Sequence, residues 1–516
     1  MVNDITGQLD PRSGYRIYNN LRNGPSSTDL VSSIPHDQRT GRGSGSRDQV
    51  SKGAVEEIDP QQARFVSPTF VAPKKGGKWR PILNLRSLNQ HVDRPHFKME
   101  DIRSLKDILQ EGDFMAKLDL KEAYFSVPIT EQSRSFLQFK RKDKLFQFTC
   151  LPFGLSSAPY VFTKLLRPVL AYLREQGIRC LMYLDDMLIL GKTQEELRHN
   201  FQVCKSLLIA LGFYVNEEKS IPGPTQEIDF LGFLINSRTM ILAVTSEKLK
   251  SLITQCKDLV QSQETSIRHL AQIIGTMNSL TQAILPTPLN YRGLQELKNE
   301  ALAHHLSYDA QILLNQRAKM DLRWWIEHAK QWNSRQILPQ KPALTLETDA
   351  SNTGWGAVCV SPRDSTGGAW NSQEQDLRID CKELLAAWLG LQCYASNMRN
   401  VHVHLKIDNT AAVVHINKMG GTHSTNLCQL ALKMWNWCLD RQMTISAEHL
   451  PGSQNQLADS ESRMKSDSSE WALDVSTFQK LMKRRGPCSV DLFASRLSAK
   501  LPIYYCLLYT SDAADE

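Results

Sequence analysis

Apolar residues recur along this chain in two rhythms, and the change from one to the other lays out its elements. From about Arg64 short apolar runs alternate with turns: Phe65 to Pro73 reads as an extended segment and Trp79 to Leu85 as a second strand. The tip between them, Lys74-Lys75-Gly76-Gly77-Lys78, is a glycine hairpin. Ile102 to Leu109 has helical spacing, Phe114 to Leu120 is a strand carrying Asp119 near its end, and Phe136–Phe139 with Leu145–Thr149 forms an antiparallel pair. The small-residue turn Leu151-Pro152-Phe153-Gly154-Leu155-Ser156-Ser157-Ala158-Pro159 leads into a helix through Val161, Leu165, Leu166, Val169 and Leu170. A hairpin centred on Tyr183-Leu184-Asp185-Asp186 follows, then a helix from Glu195 to Leu211, a strand at Gly212–Val215, Lys219 on a turn, and a strand from Phe230 to Ile235. Strands and helices in this order predict an α+β sheet with helices on one face.

Residues 246–335 are mainly helical in pattern and close on Trp324, Trp325 and Trp332, a cluster better suited to a core than to stacking on bases. After Leu338-Pro339-Gln340-Lys341-Pro342 the strand rhythm restarts. Leu344 to Ser351 alternates and carries Asp349, with Gly354–Val360 as its hairpin partner. Glu383 begins a helix, Val401–Asn409 is a strand ending on Asp408, and His449 sits on a loop ahead of Asp459.

Composition narrows the class only a little. The 516 residues are 41% hydrophobic and 22% charged, as in an ordinary soluble protein, and are enough for roughly two to four domains. A net charge of +7 leans weakly toward an anionic partner. The 11 cysteines show no metal-ligand spacing, and most, such as Cys204, Cys381 and Cys393, lie in apolar segments, which predicts reduced core thiols in an intracellular protein. No signal peptide or membrane-length apolar run is visible.

The chemistry is concentrated in acids at element ends. Two adjacent aspartates can reach one site only where a strand bends, and a pair of carboxylates is costly to desolvate, so a hard divalent cation is the usual remedy. Taken alone, Asp185 and Asp186 are better accounted for by a solvated turn, and a helix N-cap fits Asp119 as well. The basic hairpin from Lys74 to Arg80 suits a triphosphate, or is a solvated turn. Asp349, Glu383, Asp408 and Asp459 repeat the theme in the second half, where four carboxylates can hold two divalent ions.

The ordered set of motifs over residues 64–465 resembles two families. The first half is similar to the fingers and palm of reverse transcriptases, on the hairpin with Lys75 and Arg80, Leu-Asp-Leu-Lys-Glu-Ala-Tyr at Asp119, Leu-Pro-Phe-Gly-Leu-Ser-Ser-Ala-Pro, Tyr-Leu-Asp-Asp, Lys219 and Phe-Leu-Gly-Phe. The second half resembles ribonuclease H, with Asp349, Glu383, Asp408 and Asp459 at that family's metal-binding acids and His449 at its mobile loop histidine. Among retroelements, Phe-Gly-Leu-Ser-Ser-Ala-Pro, Asp-Asn-Thr-Ala-Ala-Val, Ile-Asn-Lys-Met-Gly-Gly and Val-Asp-Leu-Phe-Ala-Ser-Arg resemble the DIRS-type, tyrosine-recombinase retrotransposons.

The resemblance implies a right-hand polymerase of fingers, palm and thumb followed by an α/β ribonuclease H-like domain. Its boundaries would be a disordered or linker segment at 1–60, fingers and palm at 61–243, a helical thumb or connection at 244–340, the ribonuclease H-like domain at 341–465 and a C-terminal extension at 466–516. Cys506 to Glu516 looks unrelated to what precedes it, and a truncated or artefactual end is expected there. The implied activity is RNA-directed DNA synthesis with cleavage of the RNA strand of RNA–DNA hybrids. The implied cofactor is magnesium, with manganese as an alternative, two ions per active site, held by Asp119, Asp185 and Asp186 and by the four nuclease acids. Lys75 and Arg80 would clamp phosphates, Tyr124 would exclude a 2′-hydroxyl, Phe153 and Gly154 would shape the nucleotide pocket, and Lys219 would donate a proton. The implied partners are an RNA template, a DNA primer, the RNA–DNA hybrid and deoxynucleoside triphosphates, in cytoplasm or nucleus and without a membrane. A competing reading is a domesticated or decayed copy that binds nucleic acid without catalysis; retention of all the acids speaks against it.

Overall fold

The computed structural model describes residues 53–505, apart from 75–77, 305–306, 339, 422–423, 464–472, 487, 493–498 and 502. The chain divides into two compact units, one formed by residues up to Lys248 with Ser334–Leu338, the other by Leu249–Asn333 with the chain from Pro339 onward.

In the first unit the central sheet has four antiparallel strands. They are β4 (Phe114–Asp119), β7 (Cys180–Tyr183), β8 (Asp186–Gly191) and β9 (Ile221–Thr225), in the order β7-β8-β4-β9. Their apolar side chains pack with helices α1 (Ala158–Glu175) and α2 (Gln194–Ala210) into one core in which Leu118, Phe162, Leu173, Cys180 and Ile189 are essentially inaccessible. Each such buried side chain contributes roughly 1.5–3 kcal/mol. Helix α2 starts cleanly because the Thr193 side chain accepts a hydrogen bond from the Glu196 amide.

Smaller sheets surround this core. β1 (Val55–Ile58) joins β6 (Lys144–Phe148) and β5 (Gln138–Arg141), and β2 (Thr69–Lys74) pairs with β3 (Lys78–Leu83) as the expected hairpin. β1 lies inside the segment expected to be a linker, because Val55 inserts between the strands and the core and is buried. Residues 1–52 lie outside the described residues.

Two further expectations change. The apolar run Phe230–Ile235 is not one strand but a hairpin of β10 (Glu227–Phe230) and β11 (Phe233–Asn236), since Leu231 and Gly232 both take positive φ and reverse the chain. β12 (Ile241–Val244) and β15 (Arg335–Gln336) extend that hairpin into a four-stranded sheet, and β13 (Glu264–Ser266) pairs with β14 (Gln311–Leu313) within the second unit. The expected strand Gly212–Val215 makes only one bridge, Val215 with Leu120. β4 ends there, and the chain beyond it coils into the turn Ala123–Ser126, so there is no edge left to pair with.

The second unit holds helices α3 (Ser246–Ser262, from Leu249), α4 (Ile267–Ser279), α5 (Arg292–His304) and α6 (Gln316–His328), with Trp325 fully buried and its Nε1 donating to the Asn290 carbonyl. It also holds a five-stranded mixed sheet. Its strands are β16 (Leu344–Ala350), β17 (Gly354–Cys359), β18 (Asp364–Ala369), β19 (His402–Ile407) and β20 (Thr444–His449), in the order β18-β17-β16-β19-β20. β16 runs parallel to β19, and β19 to β20, while the other pairs are antiparallel. Helices α7 (Ile379–Ala395), α8 (Thr410–Asn417) and α9 (Thr425–Leu439) cover the sheet through Leu384, Leu391, Ile416 and Trp435, and Leu289 from the helical segment joins the same core. Cys204 and Cys381 are buried free thiols as expected, but Cys393, on a helix end, is exposed. No helix among the described residues is long and apolar enough to cross a membrane.

One buried ion pair ties the first sheet together at the end away from its acids. Asp113, just before β4 and nearly inaccessible, receives both terminal nitrogens of Arg179, just before β7, at 2.5 and 2.7 Å, and also the Gln110 amide. Removing one partner strands the other, so Asp113→Ala is expected to lower unfolding stability by about 3 kcal/mol or more. Urea denaturation of the full chain reads the shift in midpoint.

Two candidate carboxylate centres

The first centre follows from strand register. Asp119 closes β4 and stands directly opposite Asp186, the first residue of β8, while Asp185 lies in the two-residue turn that joins β7 to β8. The turn is tight enough to force Leu184 to a φ of 54°, a left-handed conformation that costs a branched residue roughly 1–2 kcal/mol. The Asp185 carbonyl accepts the Leu120 amide, which locks the turn against the end of β4.

Each acid here has its own surroundings. Asp119 is buried; Asn216 Nδ2 donates to its Oδ1 at 2.9 Å, and Lys219 Nζ is 3.5 Å from its Oδ2. Asp186 Oδ1 lies 2.7 Å from Lys117 Nζ. Asp185 is exposed at the tip, and its carboxyl is held above the usual range by partial burial and then by the charges of Asp186 and Asp119.

The Tyr124 ring is buried against Phe153 and Phe162, with centroids 5.0 and 5.3 Å away. Its hydroxyl is pushed up to about 12 by burial and then by the charges of Asp185 and Tyr183. Phe153 is exposed, and Gly154 takes a φ of 98°, which favours glycine. Asn89 clamps this turn, its Nδ2 donating to the Gly154 carbonyl at 2.9 Å and its Oδ1 accepting the Ser156 amide at 2.8 Å. Lys75 lies outside the described residues; Arg80 is placed by its backbone in β3, opposite Ala72.

The second centre gathers acids from three elements. One oxygen from each of Asp349 on β16, Glu383 on α7 and Asp408 just past β19 lies within 4.8 Å of the others. Asp349 and Glu383 are buried, and Glu383 Oε2 has no hydrogen-bond partner. An orphaned buried oxygen among hard acidic donors fits a divalent cation such as magnesium. Asp459 comes from helix α10 (Gln456–Arg463), where Arg463 Nε and Nη2 hold its Oδ1 at 2.7 and 2.6 Å. The buried Ser462 hydroxyl donates to Asp349 Oδ2 at 2.7 Å, and Asn455 Nδ2 donates to the Thr348 carbonyl at 3.0 Å.

Helix α10 can lie this close because β17 and β18 offer glycines under it. A Cβ on Gly356 would strike the Ala458 carbonyl oxygen, and one on Gly367 would lie 3.0 Å from the Glu461 carbonyl oxygen. Two positions differ from expectation. Glu383 sits in the second turn of its helix, which begins at Ile379, and His449 is not on a loop but ends β20, exposed. Its register partner is Ile407, so it stands one step from Asp408, and pairing with a parallel neighbour keeps the strand going through it. Lys117, Asn216, Asn89, Asn455, Ser462 and Arg463 were not anticipated. Only Lys117 had a visible signal, two positions before Asp119 on one strand face.

The comparisons with known proteins follow the same division. Residues 72–235 match the family described as reverse transcriptase (RNA-dependent DNA polymerase), and residues 343–465 match the one described as reverse transcriptase-like. In fold, the chain is a reverse transcriptase-type region followed by a ribonuclease H-like one. It is 24% identical over 445 residues to the transposon Tf2-3 polyprotein of Schizosaccharomyces pombe, covering 81% of this chain and 30% of that one. With polyprotein P3 of Commelina yellow mottle virus it shares 23% identity over 423 residues, 79% of this chain and 21% of the other. It therefore spans less than a third of the length of these curated relatives. Its fold is that of the foamy viral protease-reverse transcriptase solved in complex with an RNA/DNA hybrid, at TM-score 0.50 and 16% identity, covering 92% of this chain and 63% of that one. The reverse transcriptase and ribonuclease H-like architecture is thus an α+β right-hand polymerase fold followed by an α/β domain.

The second centre carries a pH dependence of its own. Burial, followed by the charges of Asp408 and Asp349, pushes the Glu383 carboxyl from 4.5 up to about 9. The folded, metal-free chain then keeps a proton that the unfolded chain releases, so this group's contribution is full below about pH 4.5 and is lost as pH rises toward 9. In EDTA, melting temperature should fall between pH 5 and 9 more steeply in the wild type than in Glu383→Gln. Equal slopes would contradict the buried, protonated acid.

Proposed function

We propose that this chain is an RNA-directed DNA polymerase with RNA–DNA hybrid ribonuclease activity, copying retrotransposon RNA into DNA and degrading the copied template. The observation that carries it is the β4–β8 register, which sets Asp119 opposite Asp186 with Asp185 in the adjoining turn, inside the segment that matches reverse transcriptases. The placement among DIRS-type elements is supported by the sequence blocks quoted above.

Magnesium, or manganese in its place, would be held as two ions per site by Asp119, Asp185 and Asp186 and by Asp349, Glu383, Asp408 and Asp459, and when bound supplies activation of the attacking oxygen and stabilisation of charge on the leaving one. The side chains of this protein do the rest. The rigid Tyr124 ring, wedged by Phe153 and Phe162, excludes a 2′-hydroxyl and so selects deoxynucleoside triphosphates. Gly154 keeps the pocket wall free of a Cβ, and the exposed face of Phe153 receives the nucleotide. Lys75 and Arg80 neutralise the triphosphate. Lys219, exposed and beside Asp119, is placed to give a proton to the leaving pyrophosphate. In the second domain His449, exposed one step from Asp408, assists proton transfer or product release.

RNA template, DNA primer and hybrid are gripped through their backbones, without reading of sequence. The solved foamy viral relative, complexed with an RNA/DNA hybrid, supports that class of partner.

Primer extension on an RNA template with magnesium tests the first centre: Asp185→Asn should abolish it, and equal activity would refute the assignment. Asp408→Asn should abolish hybrid cleavage and spare extension; loss of both together would mean that the two centres are not separate. A second nuclease test avoids the acids altogether. Gly356→Ala pushes helix α10 and Asp459 off the sheet, so hybrid cleavage should fall by about 100-fold with extension retained.

A further inference from the structure

The three acids of the polymerase centre are not equivalent, and the difference lies in which cations this chain already gives them. Asp119 and Asp186 face each other across one register step, where like charges destabilise a sheet. Asp119 is relieved by the Asn216 amide and by Lys219. Asp186 is relieved by Lys117, whose Nζ lies 2.7 Å from its Oδ1. Lys117 sits two residues before Asp119 on β4, so both side chains leave the same face of the sheet.

This is not a surface ion pair. The Lys117 and Asp186 side chains are 17% and 23% exposed, and the Lys117 ammonium lies 5.9 Å from the Phe230 ring centroid, packed between the ring and the carboxylate. Lys219, by contrast, is 62% exposed and reaches Asp119 Oδ2 only at 3.5 Å. The sheet therefore holds one cation fixed within the acidic cluster and one at its margin.

We propose that Lys117 is a positioning residue of the polymerase centre: a built-in cation that neutralises Asp186 and holds its carboxylate to the sheet while the centre is metal-free, so that Asp119 and Asp185 are the pair that takes the first divalent ion. This rests on the polymerase reading above. In its absence Asp186 stands uncompensated against Asp119, so the metal-free centre is less stable and attracts divalent ions more strongly.

The test uses the full chain carrying Asp408→Asn, which weakens cation binding at the second centre. Thermal unfolding is followed in EDTA and across a magnesium titration for Lys117, Lys117→Met and Lys117→Arg. Lys117→Met should lower the melting temperature in EDTA by several degrees and lower the half-saturating magnesium concentration by about threefold or more, as expected when one positive charge is removed from an acidic cluster that takes a divalent cation. Lys117→Arg should keep both values. In an Asp186→Asn background, Lys117→Met should change the EDTA melting temperature by no more than about a degree, because the charge it compensates is gone.

The proposal is overturned if Lys117→Met leaves the magnesium midpoint unchanged, if magnesium does not move the melting temperature of the parent, or if Lys117→Met destabilises equally with and without Asp186→Asn, which would mark simple packing against Phe230. Failure of the parent with intact Asp408 to extend a primer, with the Lys117–Asp186 coupling present, would instead refute the polymerase reading, and with it a role for Lys117 in polymerisation, while leaving its compensation of Asp186 and its effect on cation binding in place.

Discussion

Repulsion between like charges is the constraint around which both centres are built. Two unit charges about 5 Å apart repel by roughly 3 kcal/mol at an effective dielectric of 20. A domain with a net stability of about 5–15 kcal/mol cannot carry several such pairs unrelieved. The chain nevertheless sets Asp119 across from Asp186, and Asp349, Glu383 and Asp408 within 4.8 Å of one another. The two centres answer differently. The first supplies donors and cations of its own, Asn216, Lys219 and Lys117. The second buries Glu383 until it keeps its proton, and turns the Ser462 hydroxyl onto Asp349.

Holding such groups together requires a scaffold stiffer than the repulsion. In the first unit that is a ladder of paired strands, closed by a turn that bends Leu184 into a left-handed conformation and anchored at its far end by Asp113 and Arg179. In the second it is backbone laid on backbone: Gly354, Gly356 and Gly367 let helix α10 approach the sheet with no side chain between, and Ser351 donates to the Ser462 carbonyl to fix its height. Either device places a carboxylate by main-chain geometry, which is less yielding than any rotamer.

Much of this was legible beforehand, and the reason is local. Strands that end on an acid, an Asp-Asp step between apolar runs, and glycines at reversals all leave marks within a few residues, so β4, the β7–β8 hairpin, β16 with β17 and the acids themselves could be read in order. What escaped depended on partners far along the chain. Asn89 reaches Gly154 and Ser156, Asn216 reaches Asp119, and Ser462 reaches Asp349, each across dozens of residues, and nothing near an Asn or Ser says which distant oxygen it will meet. Phe230–Ile235 misled for the opposite reason. Its apolar residues run on through a turn, and only the positive φ of Leu231 and Gly232 divides one strand into two.

The two answers to repulsion also leave different surfaces open, and this bears on what each centre can accept. In the first, the relief comes from Lys117 and Asn216, drawn from the strand of Asp119 and the segment beside it, so Asp185, Phe153 and Lys219 stay exposed on the approach. The triphosphate and primer terminus of the proposed reaction would need that open side, and burial as deep as that of Glu383 would close it. In the second, Asp349 and Glu383 lie deep while Asp459 is half-buried and His449 exposed. On the proposed reading, a centre of that shape would take one phosphodiester inward from a duplex lying across it, and so would select by the form of the backbone, through its 2′-hydroxyls, rather than by its bases. The open first centre, walled by the Tyr124 ring, and the recessed second one are each what the local treatment of negative charge permits, and they are the shapes that the two proposed activities require.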